Sequence, residues 1–212
     1  MACAICEIRR PRRFCPGVRG DICTLCCGTS REVTVNCPLD CEYLREAHRR
    51  EKPADFDFSK MPNQDIQVTE EFLAKNEELV MGLGNALAVA ALHTDDVIDY
   101  DVREALDSLI RTFRTLQSGV LYESLPTNPL AANMYRLVQD AVDKFRTEET
   151  QRLGMSKTRD ADVLGGLVFL QRLEFDRNNG RKLGRAFLEF LGGFYQSERG
   201  AAEPPASSLI LP

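Results

Sequence analysis

From Thr69 onward, apolar residues recur at the three- and four-residue spacing of helices buried along one face. The first predicted helix, 69–92, opens on Thr69 as N-cap, with Glu70 and Glu71 in the first turn where acids suit the helix dipole. Its apolar set is Phe72, Leu73, Leu79, Val80, Leu83, Leu87, Ala90 and Ala91. A second, 101–122, repeats Val102, Leu106, Leu109, Ile110, Phe113, Leu116, Val120 and Leu121. A third begins at Asn128-Pro129, a cap followed by proline at the first helical position, and runs through Leu137 and Val142 to Phe145. The fourth, 161–177, is apolar nearly all round, which predicts a central place. The fifth, 181–196, keeps Leu183, Ala186, Phe187, Phe190, Leu191 and Phe194 on one stripe. Asn178-Asn179-Gly180 reads as a left-handed C-cap turn, and the short connections predict an antiparallel bundle of about five helices over 69–196.

Ahead of the bundle the pattern changes. Residues 51–68 form a polar linker with Pro53 and Pro62, but Phe56, Phe58 and Met61 predict that it lies along a surface. Ile66 to Val68 reads as a brief extended piece. Residues 1–50 offer too few apolar side chains to bury a core unaided, and close on a short helix through Tyr43–His48 with Asp40 as N-cap. Residues 197–212, rich in Ala, Glu, Pro and Ser, predict a disordered tail.

Composition adds that the chain is 43% apolar and 28% charged, the balance of a soluble globular protein. Its longest apolar run, Val80 to Leu92, is interrupted by Gly82, Gly84 and Asn85 and is too short to span a bilayer, so no membrane is expected. The N-terminus runs straight into Cys3 without a signal peptide, which predicts a reducing, cytoplasmic setting where clustered cysteines bind metal rather than pair as disulfides.

All eight cysteines of the chain lie in its first 41 residues: Cys3, Cys6, Cys15, Cys23, Cys26, Cys27, Cys37 and Cys41. Two Cys-x2-Cys pairs and a Cys-x3-Cys are the separations that bring two thiolates to one tetrahedral Zn²⁺. Eight thiolates make two complete sets, so two Zn²⁺ per chain are expected, with no coordination position open for catalysis. In a cross-braced arrangement Cys3, Cys6, Cys23 and Cys26 share one ion. The second takes Cys15, Cys37 and Cys41 with Cys27, or with His48 on the next helix.

The run Arg13-Phe14-Cys15, then Gly20-Asp21-Ile22-Cys23-x2-Cys26 and a later ligand pair, resembles the cross-brace zinc fingers of the B-box, MYND and HIT types, over residues 3–48 only. It departs from a B-box in offering Val18 where an acidic or Cys ligand is usual, and in ending on Cys37 and Cys41 rather than histidines. The phrase Cys26-Cys27-Gly28-x2-Arg31-Glu32, followed by Cys37-Pro38-x-Asp40-Cys41-x-Tyr43-Leu44, also resembles a signature of a bacterial protein family and implies no function. The zinc-finger resemblance implies a module that binds proteins or self-associates.

Residues 1–52 carry ten Lys or Arg and seven Asp or Glu, a formal +3, which leaves −8 for the rest. Two Zn²⁺ with eight thiolates contribute −4, so the loaded module sits near −1 and nucleic-acid binding is not favoured. Arg9, Arg10, Arg12 and Arg13 therefore read as a solvated loop partly offsetting thiolate charge, and Arg177, Arg181, Lys182 and Arg185 as an exposed turn at a helix C-terminus. His93 beside Asp95 and Asp96 reads as a helix end, and the Gly165-Gly166 and Gly192-Gly193 pairs as close helix packing. No activated nucleophile stands out. The expected function is that of a non-enzymatic adaptor or scaffold with a protein partner, self-association being open. The alternatives are a zinc-thiolate redox sensor and, behind it, a nucleic-acid-binding regulator.

Each structural zinc in a small module supplies on the order of 10 kcal/mol of folding free energy. Chelation is therefore expected to unfold the cysteine-rich segment while the helical part persists. Far-UV circular dichroism melting checks this, and a single transition unaffected by chelator refutes it.

Overall fold

The computed structural model describes residues 2–51 and 57–202, with the backbone alone for Phe58 and for 195–202. The chain is mainly α-helical behind a cysteine-rich N-terminal region, as the hydrophobic pattern predicts. That region opens on a small antiparallel hairpin, β1 (Arg13–Cys15) with β2 (Gly20–Ile22), in the register Arg13 to Ile22, Phe14 to Asp21 and Cys15 to Gly20. The alternation turns Cys15 and Ile22 inward and leaves Phe14 and Asp21 exposed. Two helices complete it, α1 (Thr24–Ser30) and α2 (Glu42–Arg50). The N-cap of α2 is Cys41, not Asp40 as expected, because Cys41 still has an extended backbone while its carbonyl already accepts from Leu44 and Arg45.

The expected first helix is two. α3 (Glu70–Lys75) starts under Thr69, whose hydroxyl accepts from the Phe72 amide, and ends at Asn76, beyond which α4 (Glu77–Leu92) begins. α5 (Asp99–Gln117) stops short of the expected 122: Gly119 takes a left-handed φ of 78°, and Val120, Leu121 and Tyr122 are exposed. α6 (Pro129–Leu153) starts at the predicted Asn128 cap and ends on the left-handed Gly154. α7 (Asp160–Arg177) is the central helix the pattern predicts, with Val163, Leu164, Leu167 and Val168 buried. α8 (Ala186–Ala202) begins later than expected and continues past 196, and the remainder of the predicted tail, 203–212, lies outside the described residues.

Consecutive helices do not simply pack side by side. α5 packs mainly on α7 and α6, while α4 packs on α6, α8 and α7. The connection from α4 to α5 turns around the start of α8: the Asp99 amide donates to the Gly184 carbonyl, and the Asp99 carboxylate accepts from the Phe187 and Leu188 amides. These bonds cap α8 from a neighbouring helix. Burial nevertheless pushes the Asp99 carboxyl up to about 6, outweighing the two amides. Gly166 lets α4 close in, since a Cβ there would meet Leu83 at 2.8 Å.

The last part of the linker, residues 62–66, is pinned to the bundle. Arg172 donates to the carbonyls of Pro62, Asn63 and Ile66, and Arg114 pairs with Asp65 at 2.7 Å. Phe56 lies outside the described residues. Among the described residues no helix is long and apolar enough to cross a membrane.

Leu106 is fully buried on α5, the helix that packs on α6 and α7. Leu106→Ala should cost about 2–5 kcal/mol of stability through the cavity it leaves, measured by urea unfolding of the metal-loaded chain; a loss below about 1 kcal/mol would contradict this packing.

Candidate metal centre

Cys3, Cys6, Cys23 and Cys26 offer sulfurs that all lie within 4.8 Å of one another, among the described residues the one such group of metal-ligating side chains. A tetrahedral Zn–S distance of about 2.3 Å places sulfurs about 3.8 Å apart, so these four could close on one ion with little movement. Two local turns make the group. The first carries Cys3 and Cys6 and is closed by the Glu7 amide on the Cys3 carbonyl at 2.8 Å, with Glu7 in the left-handed region. In the second, Cys23 caps α1 and its sulfur accepts from the Cys26 amide at 3.4 Å. The turns are joined by the Cys23 amide, which donates to the Cys3 sulfur at 3.2 Å.

The thiols split in proton affinity. Burial raises Cys3, but hydrogen bonds from the Cys6, Cys23 and Ile5 amides outweigh it and bring the thiol down to about 6. Burial and the neighbouring sulfurs of Cys23, Cys6 and Cys3 push Cys26 up to about 12. Four thiols so close do not all ionise unaided; a cation in their midst removes the conflict, which is the chemistry of a thiolate metal cage.

Cys15, Cys27, Cys37 and Cys41 are not drawn together to the same degree. They line one small void of about 10 Å³, bounded also by Ile22 and Leu44. Cys15, Cys37 and Cys41 are electrostatic neighbours: burial pushes the Cys37 thiol up, and the charges of the other two add to it. The Cys27 sulfur, part-exposed, accepts from Arg13 Nη1 at 3.8 Å and Arg31 Nη2 at 3.7 Å. Arg13 also lies 3.9 Å over the Tyr43 ring. Beside the first group, the Cys6 and Cys23 sulfurs raise the proton affinity of the Arg9 guanidinium. Arg9 and Arg13 of the basic loop therefore act on thiols, consistent with the offsetting role expected for that loop.

His48, the alternative fourth ligand, is held elsewhere. Its Nε2 lies 2.9 Å from Glu32 and its Nδ1 bonds Glu189 of α8. Burial lowers its proton affinity, but the two carboxylates more than reverse this and raise it to about 9, so at neutral pH it is an imidazolium donating from both nitrogens. Glu32 is fully buried, with a left-handed φ of 54°. Besides His48, it accepts from the Arg185 amide at 2.7 Å, Asn179 at 2.8 Å and Arg181 at 3.0 Å. Burial would raise its carboxyl, yet His48 and these donors hold it below the ordinary range.

Two cations expected to be exposed thus differ. Arg181 reaches Glu32 and Glu51, while Arg185 is buried and bonds the Val97 and Cys37 carbonyls. Arg177 keeps to the surface, 4.9 Å over Phe190. His93 bonds the Val89 carbonyl at the end of α4, the ordinary helix-end role predicted. Nothing in the sequence marked Glu32, since an acid in a polar loop reads the same whether solvated or buried.

A cleft of about 1020 Å³ lies beside this joint, between α2, α5, α7 and the start of α8. Its walls carry polar groups that satisfy one another: Arg103 pairs with Glu174 at 2.9 Å, and Gln171 donates to Asp107. No protein-family model, curated protein or solved structure matches the chain.

Because the folded His48 is raised above its unfolded value of about 6.5, its contribution to stability is full below pH 6.5 and is lost as pH rises through about 9. The melting temperature of the metal-loaded chain should fall across that window, and less in His48→Gln. Identical profiles for the two proteins would exclude the ion pair as the cause.

Proposed function

We propose that this chain is a non-enzymatic zinc protein in which two thiolate cages organise a protein-binding module on a helical bundle. The observation that carries the reading is the group Cys3, Cys6, Cys23 and Cys26, buried or half-buried sulfurs within 4.8 Å of one another. Four sulfurs from two short turns complete a tetrahedral shell and leave no position for a reacting water, which favours structure over catalysis. Zinc is the metal that small all-thiolate sets of this spacing best suit.

The second cage is Cys15, Cys27, Cys37 and Cys41. The shared void supports it, and so does the engagement of His48 with two carboxylates, which leaves Cys27 as the fourth sulfur. A Zn²⁺ with four thiolates carries −2, and Arg13 and Arg31 supply two positive charges at its edge. The metals would fix a surface that is otherwise unsupported: Ile8, Phe14 and Leu25 are exposed on the module. A partner protein docking there is the adaptor role proposed. Guanidinium groups bonded to sulfur are less available to phosphate, which weighs against nucleic acid.

A second reading, a thiolate redox sensor, is favoured by Cys27, part-exposed and flanked by two guanidinium groups. Peroxide would take two electrons from a thiolate pair, forming a disulfide and water and releasing the metal. Zinc release at low peroxide distinguishes the readings.

Native mass spectrometry of the anaerobically purified chain should find two zinc ions, and Cys26→Ser should lose one; fewer than two in the wild type overturns the two-cage reading. Partners recovered with the wild type should be lost with Phe14→Asp, which leaves every sulfur in place. Partner recovery indifferent to Phe14 moves the docking surface off the module.

A further inference from the structure

The joint between module and bundle is made by the chain segment that two sulfurs of the second cage bracket. Between Cys27 and Cys37 the chain turns back through Ser30, whose carbonyl accepts from the Val33, Thr34 and Val35 amides. At its apex stands Glu32. The Glu32 carbonyl accepts from the Leu183 amide at 2.7 Å, and its carboxylate from the Arg185 amide. At the end of the segment, the Cys37 carbonyl takes Arg185 Nη1, and Asn36 donates to Asp96 at 2.8 Å. Gly17, in the turn after Cys15, packs against the same segment so closely that a Cβ there would lie 2.4 Å from the Asn36 carbonyl oxygen.

We propose that the second cage is a latch: ligation of Cys27 and Cys37 holds the 28–37 segment in the one conformation that clasps residues 181–185, and loss of that metal releases the start of α8 from the module. The proposal rests on the two-cage reading and assigns the cage a regulatory role. Glu32 occupies a left-handed backbone conformation disfavoured for a residue with a side chain, which persists only where its surroundings over-determine it. Its carboxylate is buried, so the docked state is favourable only while every donor is in register. The segment brings few apolar contacts of its own, since Val33 is exposed and Val35 alone packs with the cysteine cluster. Without metal at its ends, only the turn bonds at Ser30 and the packing of Val35 are left to offset the entropy of holding this loop in place.

Linkage makes the effect reciprocal. If metal in the second cage favours docking by some factor, docking favours metal in the second cage by the same factor. The first cage stands outside this coupling, because its two turns bond to each other and to the hairpin.

The structure supplies paired reporters. The Leu183 and Arg185 amides bond to Glu32, whereas the Phe187 and Leu188 amides, a few residues on, bond to Asp99 inside the bundle. In the full zinc-loaded chain, amide hydrogen exchange by NMR is followed as chelator removes metal, with native mass spectrometry counting ions in parallel. Departure of the second-cage ion, identified by the Cys37 and Cys41 Cβ shifts, should speed exchange at Leu183 and Arg185 by about tenfold or more, within the usual range of coupling between linked sites, with Phe187 and Leu188 unchanged. Cys41→Ser, which removes a sulfur but no docking contact, should show the same two fast amides with one ion bound. Glu32→Gln should lower retention of one zinc and leave the other. Two ions in the wild type, with Leu183 and Arg185 still slow once the Cys37 and Cys41 Cβ shifts report loss of their metal, would overturn the latch and leave the two cages standing. A single ion in the wild type would overturn the cages and the latch with them. Should Cys41→Ser fail to fold, the chelator series on the wild type decides alone.

Discussion

Sulfur ionisation is the constraint on which the N-terminal region depends. Cys3, Cys6, Cys23 and Cys26 converge to within 4.8 Å, and proteins rarely gather four ionisable groups without a counter-charge. The divergent proton affinities of Cys3 and Cys26 express the conflict directly: amide hydrogen bonds favour a thiolate at one, while burial and the other sulfurs oppose it at the other. Apolar burial could not replace this device. Beyond the cysteines, the buried apolar side chains of the module are Ile22, Val35 and Leu44, far fewer than an independent core requires.

The second constraint is a buried carboxylate. Removing Glu32 from water without partners would cost several kcal/mol, so its position is tolerable only because both oxygens are occupied. One takes the Arg185 amide, and the other takes His48, Asn179 and Arg181. His48 serves two acids at once, one on the module and one on α8, which it can do only as the imidazolium. The joint is therefore polar and specific in register rather than an extension of the apolar core, and it couples the module to the point where α8 begins.

The helices could be read from spacing because a buried face repeats on a helical period over many residues; Asn128-Pro129 and Asn178-Asn179-Gly180 punctuate them at or close to the observed ends. The break at Asn76 had no such signal, since the apolar positions on either side continue one pattern. Strands of three residues are too short to establish a period of two, so the hairpin could not be read from alternation. The convergence of Cys3, Cys6, Cys23 and Cys26 was readable because each Cys-x2-Cys pair is local and geometrically self-contained. The packing order of α4 to α7 and the burial of Glu32 and Arg185 were not, because both depend on which distant segments meet. A charged residue carries no local mark of having been buried.

Arginine placement bears on how the module's charge should be weighed. Arg9, Arg10, Arg12 and Arg13 form a run that, taken alone, looks suited to phosphate. In the folded chain the Cys6 sulfur raises the proton affinity of Arg9, and Arg13 is bonded to the Cys27 sulfur, where Arg31 joins it. A guanidinium beside a thiolate contributes to the field of the site rather than to a free surface potential. It also stabilises deprotonated sulfur, the form a metal would take, so the same charges that would attract a polyanion instead favour the thiolate. Arg13 and Arg31 are matched to the sulfur they flank, and Arg49 and Arg50 to Glu46, so a count of basic residues along the chain overstates what remains for any partner.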